Sequence, residues 1–316
     1  MTGGATRAIG WLLLASALAI PQLSDSSAWL TFWITTLLFA FLGQAWNVLA
    51  GYGGQFSFGH AVFFGTAAYA SAILQVRYGV NAWPAAVAGI AAGGAVGAFL
   101  GAVSFRYGLR GSYFALVTLA FAEVFRILAN SLPFTGGGQG ILIPLMPGAS
   151  NLQFLDRTSV YYLLVGLVVV GVAISRWLEA SRFGAWLVAV RENEAAASAL
   201  GIRVFRVKLA AITLSGAMAG AAGVIYAQMF LYLDAAIAYG PHVSVEALLG
   251  PIIGGLGTVF GPIVGAVLLH ALGEAAKSAM GATPGLNLVL YGIVLVVILR
   301  FLPDGVVGLL KRWGGR

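Results

Sequence analysis

Apolar residues run along this chain in long blocks separated by short polar or glycine-rich stretches, and block length decides what each helix can do. Residues 29–50 carry no charged side chain; as a 22-residue helix they reach about 33 Å, enough to cross the hydrocarbon core of a bilayer. Comparable blocks lie at 82–105, 112–131, 158–177, 206–231, 260–280 and 285–302. Another occupies 56–76, behind the run GYGGQFSFGHAVFFG at 51–65. Glycine costs a helix interior about 1 kcal/mol relative to alanine, so this run predicts a break followed by a new span.

Three stretches depart from the pattern. Between Pro241 and Pro262, HVSVEALLGPIIGGLGTVFG has an apolar core, Ala247–Ile253, that is too short to cross. Even 242–255 reaches only about 21 Å as a helix. It predicts a half-membrane helix ending in a glycine-rich break, which must be buried in protein or line a cavity. Residues 132–157, with three prolines and five glycines, read as a loop long enough to be functional. Residues 1–28 place Arg7 before an apolar run, Trp11–Ile20, and then Pro21 and Ser26–Ala28. A cleaved signal peptide and a short first transmembrane helix share that shape.

Against these blocks stands one polar island, residues 176–208, RWLEASRFGAWLVAVRENEAAASALGIRVFRVK, with nine charged side chains. Ser181 and Asn193 are suited to cap two short helices, and Gly201 to end the second. At about 2.5–3.5 kcal/mol per charge at the bilayer centre, burying the island in lipid would cost tens of kcal/mol. It therefore reads as a structured cytoplasmic loop.

Composition turns this pattern into a class. The chain is 60% hydrophobic and 9% charged, where soluble proteins carry about a quarter charged residues, so it reads as an all-α integral membrane protein, a single polytopic domain over 1–316. Its 44 glycines suit helices packed backbone to backbone. The net charge of +7 does not point to nucleic acid, because the basic residues gather at the ends of apolar blocks. About ten crossings, short and broken helices included, put Arg7, Arg106, Arg110, the island, Arg300, Lys311, Arg312 and Arg316 on one side. Both termini are then cytoplasmic; nine crossings would put the basic C-terminus outside.

Some chemistry is excluded. Lys208, Lys277 and Lys311 lack the glycines of a P-loop, so ATP binding by that device is out. His60, His242 and His270 have no metal-ligand spacing, and there is no cysteine. Glu123 marks a proton or substrate path, or merely pairs with Arg126 three residues on. His60 either hydrogen-bonds a neighbouring helix or faces a solute. Glu246 lies near the outer end of the short helix, where the dipole favours a carboxylate, or it is functional. The runs at 53–59 and 254–261 resemble each other with a one-residue offset. They either expose backbone polar groups to a small solute or serve close packing.

At the island, SRFGAWLVAVRENEAAASALGI resembles the cytoplasmic coupling segment of ABC importer permeases, more narrowly that of bacterial branched-chain amino acid importers of the LivM type. GGQFSFGHAVFFGTAAY (53–69), LRGSYFALVTLAFAE (109–123), TGGGQGI (135–141) and IIGGLGTVFGPIVGAVL (252–268) keep the family order. The resemblance covers about residues 29–303 and implies a type II ABC importer-like fold in the bacterial inner membrane. It implies a non-catalytic permease moving branched-chain or related small amino acids inward, with a coupling loop at 178–205. Implied partners are a second related permease, two cytoplasmic ATPases that hold the ATP and Mg, and a periplasmic solute-binding protein. No cofactor is implied in this chain. Arg182, Phe183, Gly184, Arg191, Glu192, Glu194, Ala195, Ala196 and Gly201 match the segment that docks on the ATPase. Charges on one side of its short helices, with Trp186, Val190, Ala197 and Leu200 along another, suit docking in a groove. Gln55, Ser57, His60, Tyr113, Glu123, Gln139 and Glu246 are candidates for the translocation path. Members of the family also take urea, short amides and organic acids. A different class, an ion-coupled secondary transporter, would use Glu123 or Glu246 as its coupling carboxylate.

Overall fold

The computed structural model describes residues 15–24, 26–280 and 305–308, with isolated helical positions at 289, 292, 293, 296 and 300. Its first long helix, α1 (Ser27–Asn47), widens into a π-helical turn over Val48–Tyr52. Every residue from Thr36 to Gly53 is buried, as expected of a helix apolar on all sides, and the other elements pack around it. α2 (His60–Tyr78) follows the first break and stops at Gly79, whose φ of 63° favours glycine. α3 (Ala82–Arg106) starts at Asn81, which accepts a bond from Trp83 N, and α4 (Gly111–Ser131) returns across the bundle.

Residues 132–156 form a loop whose Ile141–Leu142 (β1) pairs antiparallel with Tyr232–Leu233 (β2). Asp156 accepts from Thr158 N and Ser159 N and so opens α5 (Arg157–Ala180). The backbone bond from Thr158 is the main reason its carboxyl titrates below the usual range. The island holds α6 (Arg182–Glu192) and α7 (Glu194–Ala199). α8 (Val204–Phe230), α9 (Ala235–Tyr239), α10 (Pro241–Gly254) and α11 (Gly261–Met280) complete the described helices.

Small residues set the tightest packing. A Cβ on Gly93 of α3 would lie 2.8 Å from Gly216 O of α8, and one on Gly216 would lie 2.7 Å from Gly93 O. Gly97 meets Ile212 O at 2.8 Å in the same way. The two helices touch backbone to backbone, as membrane helices do where no hydrophobic force draws them together.

Among the described residues, six segments are long and apolar enough to cross a membrane: 27–52, 82–106, 111–131, 157–180, 204–230 and 235–254. The last is split, because Gly240 is extended (φ −60°, ψ 145°) between α9 and α10. α10 by itself has 14 residues, about 21 Å, which matches the short helix expected at 242–255. The helix expected from residue 56 begins later, at His60, because 53–59 are not helical. α2 and α11 have crossing length, 19 and 20 residues, but carry His60 and Arg77, and Glu274 and Lys277. The expected span at 285–302, apart from five isolated positions, and residues 11–14 of the run at 11–20 fall outside the described residues.

Candidate functional site

The island folds as its capping residues dictate. Ser181 Oγ accepts from Gly184 N at 3.1 Å, and Asn193 Oδ1 accepts from Ala195 N and Ala196 N, both at 3.0 Å. Gly201, with φ 83°, follows the end of α7. Gly184, Leu187, Val190 and Ala197 are buried against the membrane helices; a Cβ on Gly184 would lie 1.8 Å from Leu178 O. The apolar side expected to fill a groove is therefore divided. Val190 and Ala197 belong to this chain's own core, while Trp186 and Leu200 stay exposed. Arg182, Glu192, Ala195, Ala196 and Gly201 are exposed, and Phe183, half-buried, stacks on Trp177 at 5.9 Å.

Two island residues turn inward. Arg191 Nη1 donates to Gly51 O at 2.9 Å, at the end of the π-helical turn, while Nε and Nη2 donate to Glu192 Oε1 at 3.0 and 2.7 Å. Beside it, Asn47 Oδ1 accepts from Gly257 N at 2.9 Å and Asn47 Nδ2 donates to Thr258 O at 3.0 Å. A Cβ on Gly51 would lie 1.9 Å from Asn47 Oδ1 and 2.6 Å from Gly257 N; one on Gly54 would lie 2.5 Å from Arg191 Cγ. The end of α1, the island and the turn after α10 thus meet where backbones touch. Gly305 closes on the same turn, since its Cβ would lie 2.5 Å from Gly255 N.

Glu194 makes a second tie. Its side chain is 16% exposed and pairs with Lys208 Nζ of α8 and with Arg110 Nε, at 3.0 Å from the latter, just before α4. Lys208 is 4% exposed and also lies over the Phe105 ring at 5.2 Å. A lysine so buried needs its carboxylate, because an unpaired charge there costs several kcal/mol. Asn47, Lys208 and Arg110 carry these junctions and were not foreseen as site residues. A polar amide inside the apolar block 29–50 is the signal that marks Asn47, since buried polar groups must find partners.

The seven path candidates do not converge. In the first break, exposure alternates: Gln55 and Ser57 are buried, while Phe56 and Phe58 are 41% and 40% exposed. Trp46 Nε1 donates to Ser57 O at 2.8 Å, Gly59 N to Ser57 Oγ at 3.1 Å, and Phe58 N to Thr118 Oγ1 at 3.1 Å. The break offers its aromatic rings outward and its polar atoms inward. His60 is wholly buried, with Nε2 2.9 Å from Ser215 Oγ. Ser215 spends its single proton on Ala45 O at 2.7 Å, so His60 Nε2 is the protonated nitrogen. Ser244 Oγ of α10 accepts from Ala61 N at 3.0 Å, tying the start of α2 to the short helix.

Tyr113 and Glu123 lie on the open side of α4. Glu123 pairs with Arg126 as the spacing suggests. Gln139 is exposed in the loop, and its carbonyl accepts from Tyr232 Oη at 3.3 Å. Glu246 lies past the first turn of α10, which holds no acidic residue, so the expected dipole contact does not apply. A cavity of about 350 Å³ opens between α1, α5, α8 and the 145–155 segment, lined by Thr31, Ile34, Gln153 and Gln228 among others, and by none of the seven. Among the described residues no three His, Asp, Glu or Cys side chains gather as a metal site.

The chain is similar to known proteins over most of its length. Residues 28–299 match the family model described as branched-chain amino acid transport system / permease component. The high-affinity branched-chain amino acid transport system permease protein LivM of Escherichia coli K12 is 32% identical over 298 residues, 85% of this chain and 68% of LivM. The L-arabinose ABC transporter permease protein AraH of Azospirillum brasilense is 30% identical over 224 residues, 67% of this chain and 61% of AraH. LivH of E. coli K12, the high-affinity branched-chain amino acid transport system permease protein, is 24% identical over 201 residues, 61% of this chain and 63% of LivH. No solved structure matches at a significant level.

Proposed function

This chain belongs to the family of branched-chain amino acid transport system permease components, and from that premise we propose that it is the transmembrane permease subunit of an ABC importer for branched-chain or related small amino acids. It works with a second, related permease, in keeping with its likeness to both LivM and LivH. Two ATPases bind the ATP and Mg, and a periplasmic binding protein delivers the solute. The chain itself is non-catalytic. It crosses the inner membrane about ten times in a type II importer-like fold, with both termini cytoplasmic.

The observation that carries this reading is the junction of Arg191, Gly51 and Asn47. In this account Arg182, Phe183, Glu192, Ala195, Ala196 and Gly201 form the face that meets the ATPase, Gly184 seats α6 on the membrane domain, and Arg191 and Glu194 transmit. When the ATPases close, α6 and α7 tilt. Arg191 hands the motion to the end of α1, and Asn47 passes it to the turn after α10. Glu194 carries it to α4 and α8 through Arg110 and Lys208. Both breaks then move together, and the wall formed by Phe56 and Phe58 shifts against the rest. Gln55, Ser57 and His60 sit behind that wall as its support, with Tyr113, Glu123, Gln139 and Glu246 nearer the solute's route.

The test is uptake of labelled leucine by the complete assembly in proteoliposomes. ATP inside should drive it, and Arg191→Ala should lower it about tenfold or more, as loss of a charged hydrogen bond of about 1.5–3 kcal/mol implies. Uptake by the isolated chain on a proton or sodium gradient would overturn the reading in favour of a secondary transporter. Likeness to an arabinose permease leaves the solute class worth measuring, and competition by urea, short amides, organic acids and arabinose decides it.

A further inference from the structure

α4 is the least enclosed of the six apolar segments. Along its open side Tyr113, Leu116, Ala120, Glu123 and Ile127 follow one another at steps of three and four residues, all exposed. Next to this stripe, Arg126 grips Glu123 in a two-point fork, Nε to Oε2 at 2.9 Å and Nη2 to Oε1 at 2.5 Å. The side chains remain 34% exposed for Arg126 and 49% for Glu123. Glu123 stands about 18 Å along a helix of about 31 Å, near its midpoint. The seat of the helix fixes this outward direction, because Phe121 and Phe125 on the other side pack on Phe99 and Tyr239 at 6.4 and 6.1 Å.

Ionisable groups at that depth, paired ones included, face a bundle interior or a water-filled cavity, which puts water or protein rather than lipid against the open side of α4. Its chemistry is also specific. A guanidinium and a carboxylate held side by side, with the exposed Ile127 one turn beyond Glu123, mirror a zwitterionic α-amino acid with an aliphatic side chain. We propose that Glu123 and Arg126 receive the zwitterionic head of the amino acid in transit, Arg126 taking its carboxylate, Glu123 its ammonium, and Ile127 its side chain. This rests on the permease reading above. In the empty path the pair neutralises itself; loading exchanges one ion pair for two and leaves no bare charge. Such an exchange is close to balanced, which suits a site that must release what it binds.

The absence of cysteine from the sequence makes single-cysteine labelling clean. In the assembled importer, Ala120→Cys should react with a charged, water-soluble thiol reagent at least tenfold faster than Val170→Cys on α5. Leucine supplied with its binding protein should slow that reaction at least threefold, and should not do so in Ala120→Cys/Arg126→Gln. Glu123→Gln and Arg126→Gln should each cut leucine uptake at least tenfold, and the double variant should stay as low. If the pair merely braces α4, the double variant, which leaves no unpaired charge, recovers most of the uptake, and the inference falls. It falls too if site 120 is unreactive, which means the face is covered by protein, or reactive but unprotected by leucine. Absence of ATP-driven uptake by the unsubstituted assembly sinks this inference and the permease reading together; normal uptake with an unprotected site 120 sinks this inference alone.

Discussion

The two glycine-rich breaks look alike as strings and are built for different work. The first, 53–59, is an irregular, non-helical segment held from both sides by side chains, Trp46 on one and Thr118 on the other, and it presents two phenyl rings outward. The second, 254–261, is a tight turn bound to itself: Thr258 Oγ1 donates to Gly255 O at 2.8 Å and accepts from Gly261 N at 3.1 Å. Both breaks need glycine at positive φ, Gly54 (67°) in the first and Gly255 and Gly257 (128° and 65°) in the second, but in the first Gly54 and Gly59 also let Arg191 and Thr118 pass close by. Asn47 and Arg191 join the two. Similar composition therefore hides a division between a wall and a hinge-like turn.

Substitutions can break this contrast, beginning with the severest. In Gly254→Ala the new methyl group would lie 1.7 Å from Gly261 O, and in Gly53→Ala 2.7 Å from Leu49 O. Overpacking costs about 1–3 kcal/mol and sometimes more, so Gly254→Ala should yield little folded protein, and Gly53→Ala a stable chain with a lowered melting temperature. Size-exclusion profiles in detergent and thermal melts give the comparison; equal loss would erase the distinction between turn and wall. Next in size, Asn47→Ala strands Gly257 N and Thr258 O at about 1–3 kcal/mol each and should loosen both breaks, whereas Thr118→Val frees Phe58 N and removes a bond to Ala115 O within its own helix, and should cost about 1 kcal/mol. Hydrogen exchange at 53–59 and 254–261 separates them, with Thr118→Val sparing the second break. The smallest effect lies away from both. Asp156 titrates below its ordinary value when folded, so its share of stability is full above the unfolded pKa and fades as pH falls through the folded one. Asp156→Asn removes the charge and leaves one acceptor oxygen in place of two, so it should be slightly less stable than the unsubstituted chain at neutral pH and draw level with it on acidification, with neither break affected.

Much of this was legible in the sequence, for reasons that differ by region. Capping is local, so Ser181, Asn193 and Gly201 could be read from the residues beside them. Block length set α3 and α4 to within a residue. The start of α2 was misjudged by four residues, because whether FSFG coils or extends depends on Trp46 and Thr118, which belong to other helices. Arg191 and Glu194 could be assigned to the island, but not their direction; each points to a partner far away in the chain. Asn47 escaped notice because block arithmetic counts charges and treats the amides of Gln44 and Asn47 as filler, whereas in a buried helix such an amide must be satisfied, and here that of Asn47 is satisfied by the other break.

The shortness of α10 has a further consequence for transport. A helix of about 21 Å set in a hydrocarbon layer of about 30 Å leaves roughly 9 Å of insulation to be made up by the turn and its neighbours. Where α10 ends, the turn and its neighbours must complete the layer, and it is there that Asn47 and Arg191 hold the surrounding chains in place.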